Sequence, residues 1–335
     1  MQEGLTARPP FPWVGGKERL QYIIRSIFPP KPLRYVEHFG GSGSILLGMP
    51  MSLGRMEVYN DYDSNLTNLF RCIRDRTIAL LNELGFFPLH SEEDFLLLLK
   101  FLRREMMLPD FTENELAVAR IVLTEIQYEQ VEKILRGRAS AWDVKRAAAF
   151  YTVDRRSFNS MRQTFAMRPT NIRNFFKLIT AAALRLEKVV ITNRDFEESI
   201  RTHDSENTLH YCDPPYFEAE KMYSPGFGLE DHYRLHDVLR ECKGPRVISY
   251  NDCAFTRELY DDFYLMHFER QNSMSQTEGA TYDELLITSY DPRPMLAQNT
   301  EQFNMFEPDM ESGRLVLVHE PVRPITAAIP STQDE

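Results

Sequence analysis

Residues 210–217, His-Tyr-Cys-Asp-Pro-Pro-Tyr-Phe, place a carboxylate, two prolines and an aromatic ring in close succession. The apolar run that leads into them predicts a strand. Pro214 and Pro215 neither continue a helix nor donate to a sheet ladder, so they stiffen the chain directly after Asp213. Ligands bind at the carboxyl ends of strands in open α/β sheets. The pattern therefore predicts a rigid acidic corner at a ligand-binding edge.

This corner has the groups needed to hold an aromatic amino group. The Asp213 carboxylate and the Pro214 carbonyl can accept hydrogen bonds from one –NH2, and Tyr216 can stack on the ring that bears it. Such a nitrogen is a poor nucleophile because its lone pair is delocalised, and two acceptors localise that pair and aim it. Catalysis would then consist of positioning and of stabilising charge on nitrogen. The alternative interpretation is a proline turn with a helix-capping aspartate.

A glycine-rich turn, Phe-Gly-Gly-Ser-Gly-Ser from Phe39, follows an earlier predicted strand. Gly41 and Gly43 would let the backbone pass close to a ligand without interference from a Cβ atom. Asp61 ends the next predicted strand about 20 residues later, where Rossmann-like sites place an acid against ribose hydroxyls. The pair favours a ligand with a vicinal diol. The alternative is that Asp61 caps the helix predicted from about Ser64.

The segment Trp-Val-Gly-Gly-Lys from Trp13 precedes the first predicted strand, and the chain has no P-loop signature. Lys17 could meet an anionic group near a helix start, and Trp13 could stack on a flat ring. The alternative is a structural N-terminal turn with Trp13 in the core.

The composition predicts a globular cytoplasmic protein. The chain has 335 residues, of which 43% are hydrophobic, and its four cysteines form neither a C-x-x-C pair nor a zinc-like spacing. No stretch resembles a signal peptide or a membrane span. The net charge of −10 argues against a nucleic-acid partner, but residues 155–186 contain no Asp or Glu and carry seven Arg or Lys. One basic face on an acidic body suits contact with a polyanion, and a solvated basic face is the alternative.

Short apolar runs alternate with helical patterns before residue 83 and after residue 171, which predicts an α/β fold with a mostly parallel sheet. The region between them reads as helical and interrupts this alternation. We therefore predict residues 8–82 and 171–292 as the two parts of a core, 83–170 as an inserted, mostly helical domain with a basic hairpin, and 293–335 as a partly loose extension.

Four segments in the same order resemble the Dam-like, D12-class family of adenine-N6 DNA methyltransferases, which use S-adenosylmethionine. They are Pro-Phe-Pro-Trp-Val-Gly-Gly-Lys, Glu-His-Phe-Gly-Gly-Ser-Gly-Ser, Asn-Asp-Tyr-Asp-Ser-Asn-Leu and Asp-Pro-Pro-Tyr. His38 stands where proline is common in the family. The resemblance implies a Rossmann-like methyltransferase sheet with an inserted helical DNA-recognition domain, and no metal.

The resemblance also assigns roles to matching positions. It implies catalytic roles for Asp213, Pro214, Pro215 and Tyr216, and cofactor contacts for Trp13, Lys17, Phe39, Gly41, Gly43, Asp61, Asp195, Phe196 and Asp213. Whether Asp213 takes the proton or only accepts a hydrogen bond stays open.

The segment Phe-Tyr-Thr-Val-Asp-Arg-Arg-Ser-Phe-Asn-Ser-Met resembles the recognition hairpin of the family. The match implies double-stranded DNA as partner, with the target base flipped out of the helix. It implies phosphate or base contacts for Arg155 and Arg162, a wedge or core role for Phe158, base reading by Asn159, and phosphate contacts for Arg156 and Arg168.

Three other functions share these motifs. The same corner would serve cytosine-N4 methylation or an RNA substrate, and an inactive relative would only bind DNA. A solitary enzyme, a phage enzyme and one paired with a cognate restriction nuclease, as in restriction-modification, look alike at this level. The resemblance implies a bacterial or phage origin and a place at the nucleoid.

Overall fold

The computed structural model describes residues 3–86, 91–103, 105, 112–132, 143–157, 162–166, 172–218, 226–271, 281–297 and 315–322. The chain forms two compact units. The first combines residues 1–6, 16–62 and 188–335, and the second combines residues 7–15 and 63–187. The chain therefore passes from one unit to the other several times.

The first unit contains one sheet whose described part has eight strands in the order β3-β2-β1-β4-β5-β7-β6-β8. The strands are β1 (Arg34–Glu37), β2 (Met56–Asn60), β3 (Val190–Thr192), β4 (Thr208–Cys212), β5 (Arg246–Asn251), β6 (Tyr264–Gln271), β7 (Thr281–Thr288) and β8 (Val316–His319).

The first five strands in this order are parallel, and the other three pair antiparallel to their neighbours. The central pair is β1 and β4, in which Glu37 lies beside Tyr211. The chain order reverses between these strands, since β2 and β3 lie on one side of β1 and β5 lies beyond β4. This reversal is the switch point at which open α/β sheets form their ligand crevice.

Helices α1 (Gln21–Ser26), α2 (Ser44–Gly48), α10 (Phe196–His203), α11 (Leu229–Glu241) and α12 (Ala254–Leu259) belong to the first unit. The second unit contains α3 (Ser64–Asp75), α4 (Thr77–Phe86), α5 (Glu92–Leu102), α6 (Thr112–Val122), α7 (125–132), α8 (Val144–Arg156) and α9 (Phe176–Leu186). Within the described ranges, no helix combines the length and the apolarity required to cross a membrane.

Local sequence explains where the helices of the second unit begin. The Asp63 side chain accepts hydrogen bonds from the first-turn N–H groups of α3, and Ser91 and Asp143 do the same for α5 and α8. These caps satisfy N–H groups that have no partner inside the helix. Within α3, Leu66 and Phe70 are fully buried, as their helical spacing predicts.

The α/β prediction with a Rossmann-like sheet is confirmed, and several local predictions differ from the structure. The first helix begins at Gln21 rather than near Lys17. The last turn of α8 includes Arg155 and Arg156, which lie in the segment predicted as the basic hairpin. The predicted C-terminal extension contributes β8, which pairs with β6. The second unit comprises residues 7–15 and 63–187, and the bounds 83–170 of an inserted DNA-recognition domain stay a prediction.

A chain of hydrogen bonds crosses the core beneath the glycine-rich turn. His210 Nε2 lies 3.2 Å from Asp204 Oδ1, His38 Nε2 lies 2.9 Å from His210 Nδ1, and Ser199 Oγ lies 2.9 Å from His38 Nδ1. Burial opposes the ionisation of Asp204, but the hydrogen bonds from His210 and from backbone N–H groups lower its pKa to about 2. An ionised carboxylate only accepts, so each imidazole is neutral and donates from Nε2.

Burial holds the pKa of both imidazoles down. The pKa of His38 lies well below the ordinary 6.5 because of burial and then because of His210, and burial likewise lowers the pKa of His210 although Asp204 opposes this. Below about pH 6.5, the unfolded chain therefore binds protons at these histidines that the folded chain does not bind. Because of this difference, a low pH destabilises the folded state.

We expect the free energy of unfolding to fall as the pH drops from about 6.5 to 5, with a slope that approaches about 1.4 kcal/mol per pH unit for each of His38 and His210. His38→Gln removes one of them, so the slope of unfolding free energy against pH should decrease by about one proton. Urea unfolding followed by circular dichroism at several pH values measures the slope. His319→Gln alters a histidine on the edge strand β8 and serves as the control. An unchanged slope in His38→Gln would refute the role of the imidazole chain.

Candidate active site

Two turns leave the sheet side by side at its ligand edge. The backbone N–H of His38, directly after β1, donates to the carbonyl of Tyr211 in β4 over 3.0 Å. The glycine-rich turn and the segment from Asp213 to Tyr216 therefore start from neighbouring strands. Residues more than 170 positions apart in sequence are brought together by this pairing.

The glycine-rich turn needs its glycines for two different reasons. Gly41 and Gly43 have φ values of 51° and 67°, in the left-handed region that side chains disfavour. A Cβ atom at Gly40 would lie 2.2 Å from the ring of Tyr59. The hydroxyl of Tyr59 in turn donates to the Gly41 carbonyl over 2.7 Å. The sequence indicated the roles of Gly41 and Gly43 but not those of Gly40 and Tyr59.

Asp61 connects the end of β2 to this turn. Its Oδ2 accepts a hydrogen bond from the backbone N–H of Gly41 over 2.9 Å. Helix α3 is capped by Asp63, so the alternative role of Asp61 as the cap of that helix is not what the structure has. The Asp61 carboxylate therefore lies at the sheet edge beside the glycine turn, where the sequence placed it.

The buried amide of Asn60 holds three loops together. Its Nδ2 donates to the carbonyls of His38 and Arg194, over 3.0 and 3.1 Å. Its Oδ1 accepts from Thr192 Oγ1 over 2.8 Å and from the backbone N–H of Arg194 over 3.1 Å. All four hydrogen-bonding positions of this amide are used. The loops after β1, β2 and β3 therefore keep a fixed spacing.

An aromatic cluster lies next to these loops. The ring of Phe39 stacks on Phe196 with centroids 5.5 Å apart, and Phe227 meets both rings at 5.8 and 5.7 Å. Asp195 caps α10, and its two oxygens accept from the Arg234 guanidinium at 3.1 and 2.9 Å. The structure thus brings together three residues that the resemblance assigned to the cofactor, Phe39, Asp195 and Phe196, and adds Phe227.

Asp213 forms a corner with Lys17 and Tyr216. Lys17 Nζ lies 2.8 Å from Asp213 Oδ1, and the side chains are 4% and 19% exposed. The same ammonium lies 4.8 Å from the centroid of the Tyr216 ring. The sequence analysis predicted that the Asp213 carboxylate and the Tyr216 ring hold an amino group. In the structure, the Lys17 ammonium makes both of these contacts. Lys17, predicted to contact a cofactor, contacts the Asp213 carboxylate here.

Tyr216 also has a partner that the sequence did not reveal. Its hydroxyl donates to Glu284 Oε2 over 2.7 Å, and Glu284 is 1% exposed. The ring stacks on Tyr250 with centroids 5.8 Å apart. Glu284 lies between the exposed Asp283 and the buried Leu285. A carboxylate directly before the apolar run of a strand is the sequence signal that could have identified it.

In the second unit, Trp13 packs among aromatic side chains. Its ring lies 6.0 Å from Phe11 and 6.4 Å from Phe150, and the Arg162 guanidinium lies 4.6 Å from the Trp13 ring. These contacts agree with the structural role considered for Trp13 beside cofactor stacking. Arg162 also lies 3.7 Å from Asp63 Oδ2, so it is held inside this unit.

A buried acid accompanies these arginines. Asp154 is 1% exposed, and burial raises its pKa to about 8 although the positive charges of Arg162 and Arg155 oppose the shift. Asp154 is therefore largely protonated at neutral pH, and the basic character of the neighbouring arginines is not cancelled by this carboxyl group.

The other predicted DNA-contacting residues differ in their surroundings. The Arg155 guanidinium lies 3.5 Å from the centroid of the Phe175 ring and donates to the Pro10 carbonyl over 2.5 Å. Arg156 is 8% exposed, and this burial argues against a phosphate contact. Ser157 and Phe165 form an antiparallel bridge, as the ends of a hairpin would. The predictions for Phe158, Asn159 and Arg168 lie outside the described residues.

Comparison with known proteins identifies relatives along most of the chain. Type II methyltransferase M1.LlaDCHI of Lactococcus lactis subsp. cremoris is 22% identical over 297 residues, which cover 85% of this chain and 96% of the relative. The DNA adenine methylase of Haemophilus influenzae is 23% identical over 290 residues, which cover 81% and 89%. Type II methyltransferase M.CviBI of Paramecium bursaria Chlorella virus NC1A is 26% identical over 104 residues, which cover 31% and 40%.

The family profile of the D12 class N6 adenine-specific DNA methyltransferases matches residues 13–274. This range includes the glycine-rich turn, Asp61 and the corner at Asp213, together with nearly all of the second unit. The chain belongs to the D12 class of N6 adenine-specific DNA methyltransferases.

Proposed function

We propose that this adenine-specific DNA methyltransferase uses S-adenosylmethionine and holds the N6 amino group of a flipped adenine at the corner of Asp213 and Tyr216. The observation that carries the proposal is the position of the Lys17 ammonium, 2.8 Å from Asp213 Oδ1 and 4.8 Å from the Tyr216 ring centroid. A planar base with an amino group would make the same two contacts, one as hydrogen-bond donor and one by stacking.

The residues at the sheet edge suit this cofactor. Members of the D12 class are generally dependent on S-adenosylmethionine, which carries a sulfonium, an ammonium, a ribose diol and a flat purine. The edge offers the Asp61 carboxylate for the diol, the stacked pair of Phe39 and Phe196 for an apolar ring, and the Asp213 carboxylate near positive charge. When bound, the cofactor supplies an electrophilic methyl group.

The chain's own residues account for the activation of the amino nitrogen. Asp213 and the Pro214 carbonyl hold the two hydrogens of N6, which localises the lone pair. Tyr216 fixes the plane of the base, so the lone pair points toward the cofactor side of the corner. Nitrogen would become positive as the N–CH3 bond forms and the S–CH3 bond breaks, with S-adenosylhomocysteine as the leaving group. The Asp213 carboxylate would stabilise that charge until a proton passes from N6 to Asp213 or to water.

Lys17 has a direct part in this arrangement. Its ammonium contacts Asp213 Oδ1, and the second carboxylate oxygen can accept from the amino group of a base. Lys17 neutralises a carboxylate that is 19% exposed, which would otherwise be costly to desolvate. The corner that holds this ammonium is thereby suited to hold a positively charged nitrogen.

We assign DNA contact to the second unit. Arg155 uses one donor on Pro10, and a guanidinium carries five N–H donors in a planar fork suited to phosphate. The residue stretch from Arg155 to Leu186 lacks acids, which favours a polyanionic partner there. The target adenine must leave the base stack to reach an enzyme that modifies its amino group.

The names of two relatives, both type II methyltransferases, support a place beside a cognate restriction nuclease. The protein would then protect host DNA by methylating the sequence that the nuclease cuts. The third relative is named a DNA adenine methylase, a name that refers to no restriction system.

We expect expression in a methylation-free bacterial host to introduce N6-methyladenine at one sequence context. Genome-wide sequencing that distinguishes modified bases gives the base, the position and the recognition sequence together. N4-methylcytosine in place of N6-methyladenine would contradict the proposed substrate. Absence of modified adenine with the folded protein present would contradict the proposed activity.

We expect Asp213→Asn to lower kcat for methyl transfer by about 100-fold or more, because the neutral amide cannot stabilise positive charge on N6. Incorporation of tritiated methyl from S-adenosylmethionine into DNA measures the rate, and a gel-shift assay should show DNA binding within a few-fold of wild type. Asparagine keeps the volume of the side chain beside Lys17, so the substitution is gentler than alanine.

Asp252→Asn is the matched control for this experiment. Asp252 follows β5 as Asp213 follows β4, and Arg257 and His267 hold its carboxylate. Methyl transfer should therefore change little in this variant. Equal rates for Asp213→Asn and wild type would eliminate the proposed mechanism.

We expect Arg155→Ala to weaken DNA binding and to reduce the slope of log affinity against log salt by about one phosphate contact. Fluorescence anisotropy with duplex DNA across a salt series measures both. Arg146→Ala is the control, because Arg146 lies on the same helix and also stacks on an aromatic ring, Phe101, at 4.4 Å. Equal salt slopes for Arg155→Ala and wild type would remove Arg155 from the DNA-contacting surface.

A further inference from the structure

The hydroxyl of Tyr216 has a role that stacking alone does not explain. A base needs only the face of an aromatic ring, and a phenylalanine would offer the same face. In this structure the hydroxyl donates to Glu284 Oε2 over 2.7 Å. Glu284 lies on β7 and is 1% exposed, so its carboxylate has been removed from water to reach this position.

A buried carboxylate is expensive unless hydrogen bonds compensate for the loss of water. The same position in a strand could be filled by an apolar residue, as it is at the neighbouring Leu285 and Leu286, both fully buried. The hydrogen bond to the Tyr216 hydroxyl is therefore a reason for a glutamate at this buried position. It ties the turn after β4 to a strand two positions away in the sheet.

Strand β5, which lies between β4 and β7 in the sheet, also supports the turn that contains Tyr216. Asn251 lies opposite Glu284 in the antiparallel register of β5 and β7, and its Nδ2 donates to the Phe217 carbonyl over 3.3 Å. Tyr250 stacks on the Tyr216 ring with an interplanar angle of 24°. Asn251 holds the backbone and Tyr250 supports the ring, but neither prevents the ring from sliding in its own plane. The hydrogen bond to Glu284 does.

We propose that Glu284 is a positioning residue for methyl transfer, which fixes the Tyr216 ring as the surface on which the target adenine stacks. Glu284 acts through Tyr216 and touches neither the base nor the cofactor. Its loss therefore lowers kcat through misplacement of the base and leaves cofactor affinity unchanged. The inference rests on the proposed function of the corner at Asp213 and Tyr216.

A double-mutant cycle tests this role with the purified full-length enzyme and duplex DNA containing the mapped site. We expect Glu284→Ala to lower kcat about tenfold and Tyr216→Phe to lower it by a similar factor. In the Tyr216→Phe background, Glu284→Ala should have no further effect, because no hydroxyl remains to be held. Glu284→Gln keeps an acceptor oxygen and should recover kcat to within about threefold of wild type.

Two further measurements separate positioning from general damage to the fold. The dissociation constant for S-adenosylmethionine, from calorimetry, should stay within about twofold of wild type in all variants. With 2-aminopurine in place of the target adenine, the fluorescence of the bound flipped base should change in Glu284→Ala and return in Glu284→Gln. Asp283→Asn changes the adjacent, exposed carboxylate on the same strand and should behave as wild type.

Several outcomes would overturn the inference. Wild-type kcat in Tyr216→Phe would show that the hydroxyl is not needed, and this variant decides the question even where Glu284→Ala fails to fold. Multiplying effects in the double variant would show that the two residues act independently. A wild-type enzyme that places no methyl group on adenine would instead refute the proposed function, so the two failures are distinguishable.

Discussion

The parallel pairing of β1 with β4 is the constraint on which the rest of the structure depends. Strands in such a pair lie about 4.8 Å apart, so whatever follows each strand emerges beside the other. Glu37 beside Tyr211 sets the register, and the glycine turn and the Asp213 corner follow. A shift of one residue would turn every side chain of β4 to the opposite face of the sheet. The backbone hydrogen bonds between β1 and β4 therefore fix the position of the glycine turn relative to Asp213.

The chemistry at this edge is organised around positive charge. Asp61 and Asp213 are carboxylates, Tyr216 and Phe39 offer aromatic faces, and the cation within the corner is Lys17. Carboxylates and ring faces both attract cations. In the proposed reaction, a methyl group moves from a sulfonium to an amino nitrogen, and positive charge moves with it. The protein is acidic overall and has one basic region, residues 155–186. This charge distribution fits the proposal that carboxylates serve the reaction and that the basic region contacts DNA.

The fold class could be predicted from the sequence because it depends on local chemistry, and the same local chemistry marks the residues proposed for the site. Glycines at 41 and 43, an acid at 61 and the prolines after Asp213 are visible as residue types in order. Tyr59 and Asn60 were missed because their roles arise from contacts with other loops, which no local pattern encodes. Glu284 lies on an antiparallel strand far from Tyr216 in sequence, and only the sheet order brings them together.

The helical unit was harder to read. The sequence predicted a mostly helical region, but Arg155 and Arg156 were expected in a hairpin and form the end of α8. Basic residues are common in the last turn of a helix because they face its negative end. A basic run is therefore ambiguous between a helix terminus and a loop. The burial of Arg156 depends on tertiary packing, which the charge pattern does not reveal.

The short strand β8 has a consequence for the handling of the protein. β6 spans eight residues, and β8 covers its outer edge at Leu265 to His267. An uncovered edge of this length offers a row of unpaired backbone groups that can recruit another chain. Truncated forms that end before Val316 would lose this cover and would be prone to edge-to-edge aggregation. A strand from the segment predicted as a partly loose extension thus protects the edge of the sheet.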